Sequence, residues 1–219
     1  MSRQSADSDR LWSAIHLERD ALADELGRLD DTDWHVISLC TRWRVEEVVA
    51  HLTAVARTGR VRWIRSFVGA GFNTDRHNRR RLEEQLGATP RETLANFVDS
   101  STLRVAPFGD TAAWLGETIV HAEDIRRPLG RTREYPIDAL TAVASFYTSK
   151  DFAVNSATLV KGLSLRAVDG PFAAGTGPEV SGPTLALVMA MAGRPTALAD
   201  LTGGGVEELG RRVRAGCAR

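Results

Sequence analysis

Through the first 150 residues apolar positions recur three and four apart, which predicts helices and almost no strand. SDRLWSAIHLERDALADELGR (8–28) sets Leu11, Ile15, Leu22 and Leu26 on one face, and DDTDW then breaks the pattern with capping-type residues. A second helix is expected from Val45 to Phe67, ending at Gly69 and Gly71. Its stripe is Val45, Val48, Val49, Leu52 and Val55, and His51 sits inside that stripe. NTDRHNRRRLEEQLG reads as a polar helix ending at Gly87. TPRETLANFVDSSTLRV opens with Thr89 as cap, Pro90 at the first helical position and Glu92 at the capping-box position. GDTAAWLGETIVHAEDIRRPLG is the next helix, capped by Asp110 or Thr111 and stopped near Pro128 and Gly130; YPIDALTAVASFYTSKD follows, with Pro136 placed for a helix start. Short connections between such helices predict an up-and-down bundle.

After about residue 152 the pattern changes. GLSLRAVDGPFAAGTGPEVSGP is rich in glycine and proline with short alternating runs, the signature of strands and tight turns. TLALVMAMAGR reads as a buried helix and VEELGRRVRAG as a terminal amphipathic one. The expected organisation is a helical bundle over 1–152 and a small α+β domain over 153–219.

Composition narrows the functional classes. Hydrophobic residues are 43% and charged residues 26%, as in an ordinary globular protein. Lys+Arg and Asp+Glu are both 28, so the basic excess of a nucleic-acid binder is missing. The densest basic run, RHNRRRLEEQ, is followed by two glutamates and reads as a solvated helix face, His77 included. No run is apolar enough to span a bilayer, and MSRQSADSDRLW lacks the apolar core of a signal peptide, so a cytoplasmic location is expected. Cys40 and Cys217 lie far apart without a CxxC spacing, which disfavours a disulfide framework or a cysteine-built zinc site. Thiol chemistry would then use a thiol from outside the chain.

Within GETIVHAEDIRRPLG, Glu117, His121 and Asp124 are spaced four and three apart and share one helix face with Trp114 and Ile125. An acid and an imidazole four apart often only support an exposed helix, by about 0.2–0.5 kcal/mol. On an apolar stripe, however, the carboxylate needs a partner. His51 is a second histidine on the apolar stripe of a different helix. Two imidazoles and one carboxylate facing inward across a bundle form a three-ligand set for zinc or another divalent metal. Asp124 has two uses, orienting a ligand histidine or pairing with Arg127. His16 and His35 lack matched partners, and Trp43 and Trp114 read as core.

CTRWRVEEVVAHL followed by GETIVHAEDIRRPLG resembles the paired signature of the mycothiol-dependent maleylpyruvate isomerase family, within the wider group of DinB-like metal-binding four-helix bundles. GLSLRAVDG, GTGPEVSGP and MAMAGR resemble the small C-terminal domain of many members, so the likeness spans nearly the whole chain. The resemblance implies a mainly α fold, a DinB-like bundle with a small α+β domain. It also implies that His51, Glu117 and His121 bind a divalent metal, usually taken to be zinc, with mycothiol as co-substrate. The metal would hold the thiol as thiolate, the reactive form. Arg126, Arg127 and Arg194 are weaker candidates for binding an anionic co-substrate or the oxygens of mycothiol.

Three functions keep these residues: a metal-dependent, mycothiol-using isomerase or S-transferase acting on a small electrophile, a non-catalytic metal-dependent binding or sensing protein, and metal-assisted hydrolysis with Asp124 as base. The expected partners are small molecules, with no nucleic acid and no membrane.

Overall fold

The computed structural model describes residues 3–40, 43–152 and 154–217. Its contacts divide the chain into two compact units, Met1–Thr132 and Arg133–Arg219.

In the first unit α1 (Arg3–Leu26), α2 (Val45–Arg57), α5 (Pro90–Val98) and α6 (Thr111–Arg126) pack on one another as a four-helix bundle. Its core joins Leu22 and Leu26 of α1, Val45, Val48, Val49 and Leu52 of α2, Phe97 of α5 and Ile125 of α6. The helix starts follow local chemistry. At α5 the Thr89 side chain accepts from the Glu92 N–H at 3.3 Å, with Pro90 in the first turn. At α2 the Arg44 N–H donates to Glu47 Oε2 at 2.9 Å.

The single helix expected over 45–67 is two helices. α2 ends at Thr58, and α3 (Arg60–Gly69) restarts after Gly59, both junction residues being extended, with ψ of 98° and 165°. Glycine is a weak helix former, and the buried face also changes there. α2 is buried almost all round, whereas α3 turns Ser66 inward and leaves Val61, Ile64 and Val68 exposed or partly so. α4 (Thr74–Glu83) then folds back onto α2. Gly71 and Phe72, with φ of 66° and 60°, make the turn between α3 and α4.

α6 is the inner helix. From Thr111 to Arg126 only Ala112 and Glu117 are not fully buried. A helix buried on every side needs partners for its polar groups, and several on α6 have them. Thr118 Oγ1 donates to the Trp114 carbonyl at 2.9 Å. Arg126, with no exposed side-chain surface, donates to Glu25 through Nε and Nη2 at 2.7 and 3.0 Å and to Glu18 through Nη1 at 2.5 Å.

In the second unit a three-stranded sheet has the order β2-β1-β3, with β1 (Ser164–Ala167) antiparallel to β2 (Ala173–Gly175) and parallel to β3 (Glu179–Gly182). α9 (Thr184–Met191) is apolar and almost wholly buried and packs on β1, β3 and α7 (Ile137–Ser149). The short α8 (Ser156–Val160) and the amphipathic α10 (Val206–Cys217) complete this unit. The division therefore falls near residue 132 rather than the expected 152, because the Leu140, Val143 and Ala144 face of α7 is buried in the unit that contains α9. Residue 153 lies outside the described residues. No helix among the described residues is long and apolar enough to cross a membrane.

Removing Arg126 takes its guanidinium from the buried Glu18 and from Glu25, so Arg126→Ala is expected to lower unfolding free energy by about 3–5 kcal/mol in denaturant titration.

Candidate metal centre

Glu117 and His121 stand one turn apart on α6, and α2 brings His51 against them. Glu117 Oε2 lies 3.7 Å from His51 Nε2 and 3.5 Å from His121 Nε2. The ligating atoms of all three residues fall within 4.8 Å of one another. Zinc with bonds of roughly 2.0–2.1 Å in a tetrahedron sets its ligand atoms about 3.3 Å apart, so the cluster is slightly wider than a closed zinc set. The donor chemistry fits a divalent cation.

The electrostatics fit as well. Burial alone would raise the Glu117 pKa, but hydrogen bonding to His121 and His51 and their charge hold it well below the usual carboxylate range. Burial alone would lower His121, but the hydrogen bond to Asp124, then Glu117, and the charge of both raise it to about 9. The pocket thus carries a negative field strong enough to keep a proton on a buried imidazole, and the same field favours a cation.

Asp124, fully buried, lies 2.9 Å from His121 Nδ1. It thereby fixes that ring nitrogen as the N–H side and leaves Nε2 facing Glu117. Asp124 is in contact with His121, and Arg127 Nε donates to Glu123 Oε2 at 2.9 Å. The loop before α2 is tied to the same place. The Leu39 N–H donates to the Asp124 carbonyl at 3.0 Å, and Ser38 Oγ donates to the Trp43 carbonyl at 2.9 Å. Trp43 then packs on His51, the ring centroids 4.8 Å apart. Thr41 and Arg42 of the CTRW stretch lie outside the described residues, as does the side chain of Cys217.

Other expected residues are placed elsewhere. Arg126 is committed to Glu18 and Glu25, and Arg127 to Glu123. Arg194, in the second unit, donates to the Ala192 carbonyl at 2.6 Å. His35 is exposed, and His16 stacks on Trp12 with centroids 5.9 Å apart.

His77 corrects the reading of its helix as solvated. It is 3% exposed, because Trp63 and Phe67 of α3 pack over its ring. With Arg81, one turn on, it lines a cleft of about 330 Å³ that His51 and Trp114 also line. The signal available in the sequence was the Trp63–Phe67 pair, four apart and opposite an exposed apolar stripe on the same helix.

Because the Asp124 carboxylate is the strongest support of the His121 proton, the ring should titrate near pH 9 by NMR in metal-free protein, and Asp124→Asn should move its midpoint downward.

Residues 15–76 match the family model described as the mycothiol maleylpyruvate isomerase N-terminal domain, a span that includes His51 but not Glu117 or His121. No curated protein sequence matches the chain. Among solved structures, the crystal structure of the mycothiol-dependent maleylpyruvate isomerase superposes with a TM-score of 0.64 at 16% identity, covering 93% of this chain and 96% of that one. The structure of a histidine-to-alanine mutant of the mycothiol-dependent maleylpyruvate isomerase superposes with a TM-score of 0.63 at the same identity and coverage. Over residues 15–76 the chain is thus similar to the mycothiol maleylpyruvate isomerase N-terminal domain, and over nearly its whole length it shares the fold of that isomerase.

Proposed function

We propose that this chain is a metal-dependent enzyme that presents the thiolate of mycothiol to a small electrophile, as an isomerase or an S-transferase. The observation that carries the reading is the convergence of His51, Glu117 and His121 within 4.8 Å beside a cleft that His51 also lines. The family matched over residues 15–76 and the fold of a mycothiol-dependent isomerase support mycothiol as the thiol.

His51, Glu117 and His121 would hold the metal, most simply zinc, and leave one tetrahedral position open. A divalent cation there supplies the Lewis acidity that lowers a thiol's pKa below its free value of about 8.5. The protein's own residues do the rest. Asp124 keeps His121 in the tautomer that turns Nε2 toward Glu117, and Trp43 covers the His51 ring and limits water. The electrophile would occupy the cleft that His51 lines. In an isomerisation the thiolate sulfur adds to a conjugated carbon, a bond rotates and the thiol leaves again; in a transfer the S-conjugate is released after protonation.

Elemental analysis should find about one divalent metal per chain, lost in His51→Ala and in His121→Ala, with mycothiol binding only to the metal-loaded protein. Loaded protein that binds mycothiol and turns over no electrophile would leave the binding or sensing function in place of the enzyme. A metal-free protein under metal-replete conditions would remove both.

Metal entry must displace the proton that Asp124 and Glu117 hold on His121 up to about pH 9. Metal affinity should therefore rise with pH, by about tenfold per unit between pH 6 and 8, when measured by competition with a chelator. A pH-independent affinity would mean that His121 is not a ligand.

A further inference from the structure

The cleft beside His51 combines flat apolar walls with polar groups. Trp63 and Trp114 supply the flat surface, with Ala54 and Val55. Trp63 is itself held edge-on by Phe108, the centroids 5.0 Å apart, so its indole is a fixed platform. Besides His51, Thr58 and Asn78, the polar lining includes His77 and Arg81, one turn apart on α4 and therefore adjacent.

Both of these carry unsatisfied nitrogens. The Ser66 carbonyl lies close enough to the His77 ring to favour its proton, while His77 Nδ1 is buried with no hydrogen-bond partner. In the tautomer that places the ring proton on the other nitrogen, Nδ1 presents a lone pair. Burial lowers the pKa of His77, which agrees with a neutral ring. Arg81 Nε–H is likewise buried without a partner, although the far end of the guanidinium is paired with Glu84. An unused acceptor and an unused donor thus stand side by side.

A hydroxyl satisfies both with one atom, since it donates a proton and accepts another. A carboxylate or ketone oxygen has no proton for Nδ1, and the charge of Arg81 is already answered by Glu84. An ammonium has no lone pair for Arg81. A hydroxyl carried on a flat apolar body is a phenol.

We propose that this cleft binds a hydroxyaromatic ring, its hydroxyl donating to His77 Nδ1 and accepting from Arg81 Nε–H, with the ring against Trp63 and Trp114. That the ring belongs to the second substrate rests on the metal-site reading above; that it binds does not.

The test is titration of the full chain with 2-naphthol, 2-methoxynaphthalene and 2-naphthoate, followed by calorimetry and tryptophan fluorescence, with and without metal. 2-Naphthol should bind at least about tenfold more tightly than either analogue, because each analogue leaves one buried nitrogen unanswered. His77→Phe should bring 2-naphthol down to the affinity of the methyl ether while leaving the methyl ether unchanged. Naphthoate binding as tightly as naphthol, no saturable naphthol binding, or a preference that survives in His77→Phe would each overturn the assignment. The wild-type series decides the matter even if the variant does not fold. Naphthol binding alongside absent thiol turnover in the metal-loaded protein would remove the enzyme reading and leave this one standing.

Discussion

A carboxylate in the middle of a helix buried on every side has to be answered by charge or by hydrogen bonds, and Glu117 imposes that requirement on the first unit. Its answer comes from two directions. His121 lies one turn along the same helix, and His51 comes from α2. For His51 to arrive, α2 and α6 must meet at a fixed height. The packing of Val48, Val49 and Leu52 with Ala122 and Ile125 sets that height. The remaining polar groups of α6 follow the same rule, Asp124 on His121, Glu123 on Arg127 and Arg126 on two acids of α1. The bundle's geometry and the cluster's chemistry are therefore one constraint.

What the sequence made legible was local. Thr89 and Pro90 announced α5, Pro136 announced α7, and the glycine-rich stretch after 160 announced short strands. The spacing of Glu117, His121 and Asp124 was enough to put three side chains on one face, because helical spacing converts directly into proximity. What was not legible depended on contacts far apart in the chain. Arg126 looked available for a ligand, yet its partners are about a hundred residues away on α1. Asp124 meets His121, while Arg127 reaches the carboxylate of Glu123, four residues before it, a pairing that the spacing alone did not single out.

Two further differences share one cause. A stripe of apolar residues tells that a helix is covered but not by what. Residues 45–67 had a nearly continuous stripe, and only Gly59 hinted that the covered face changes midway. α7 had a good apolar face too, and nothing local assigned it to the company of α9. His77 was hidden for the opposite reason, since its own helix is mostly charged and its burial is supplied by Trp63 and Phe67 of α3.

The break at Gly59 has a wider meaning. The chain departs from the bundle there and rejoins it only at Pro90, and the intervening hairpin supplies Trp63, His77 and Arg81 to the cleft. The three converging ligand atoms come instead from α2 and α6, which the core holds in register. The triad and one wall of the cleft thus lie on different stretches of sequence. Lengthening, shortening or rewriting the hairpin alters what the cleft admits and leaves the triad's alignment intact, which is a route by which one scaffold can acquire many ligands without rebuilding its centre.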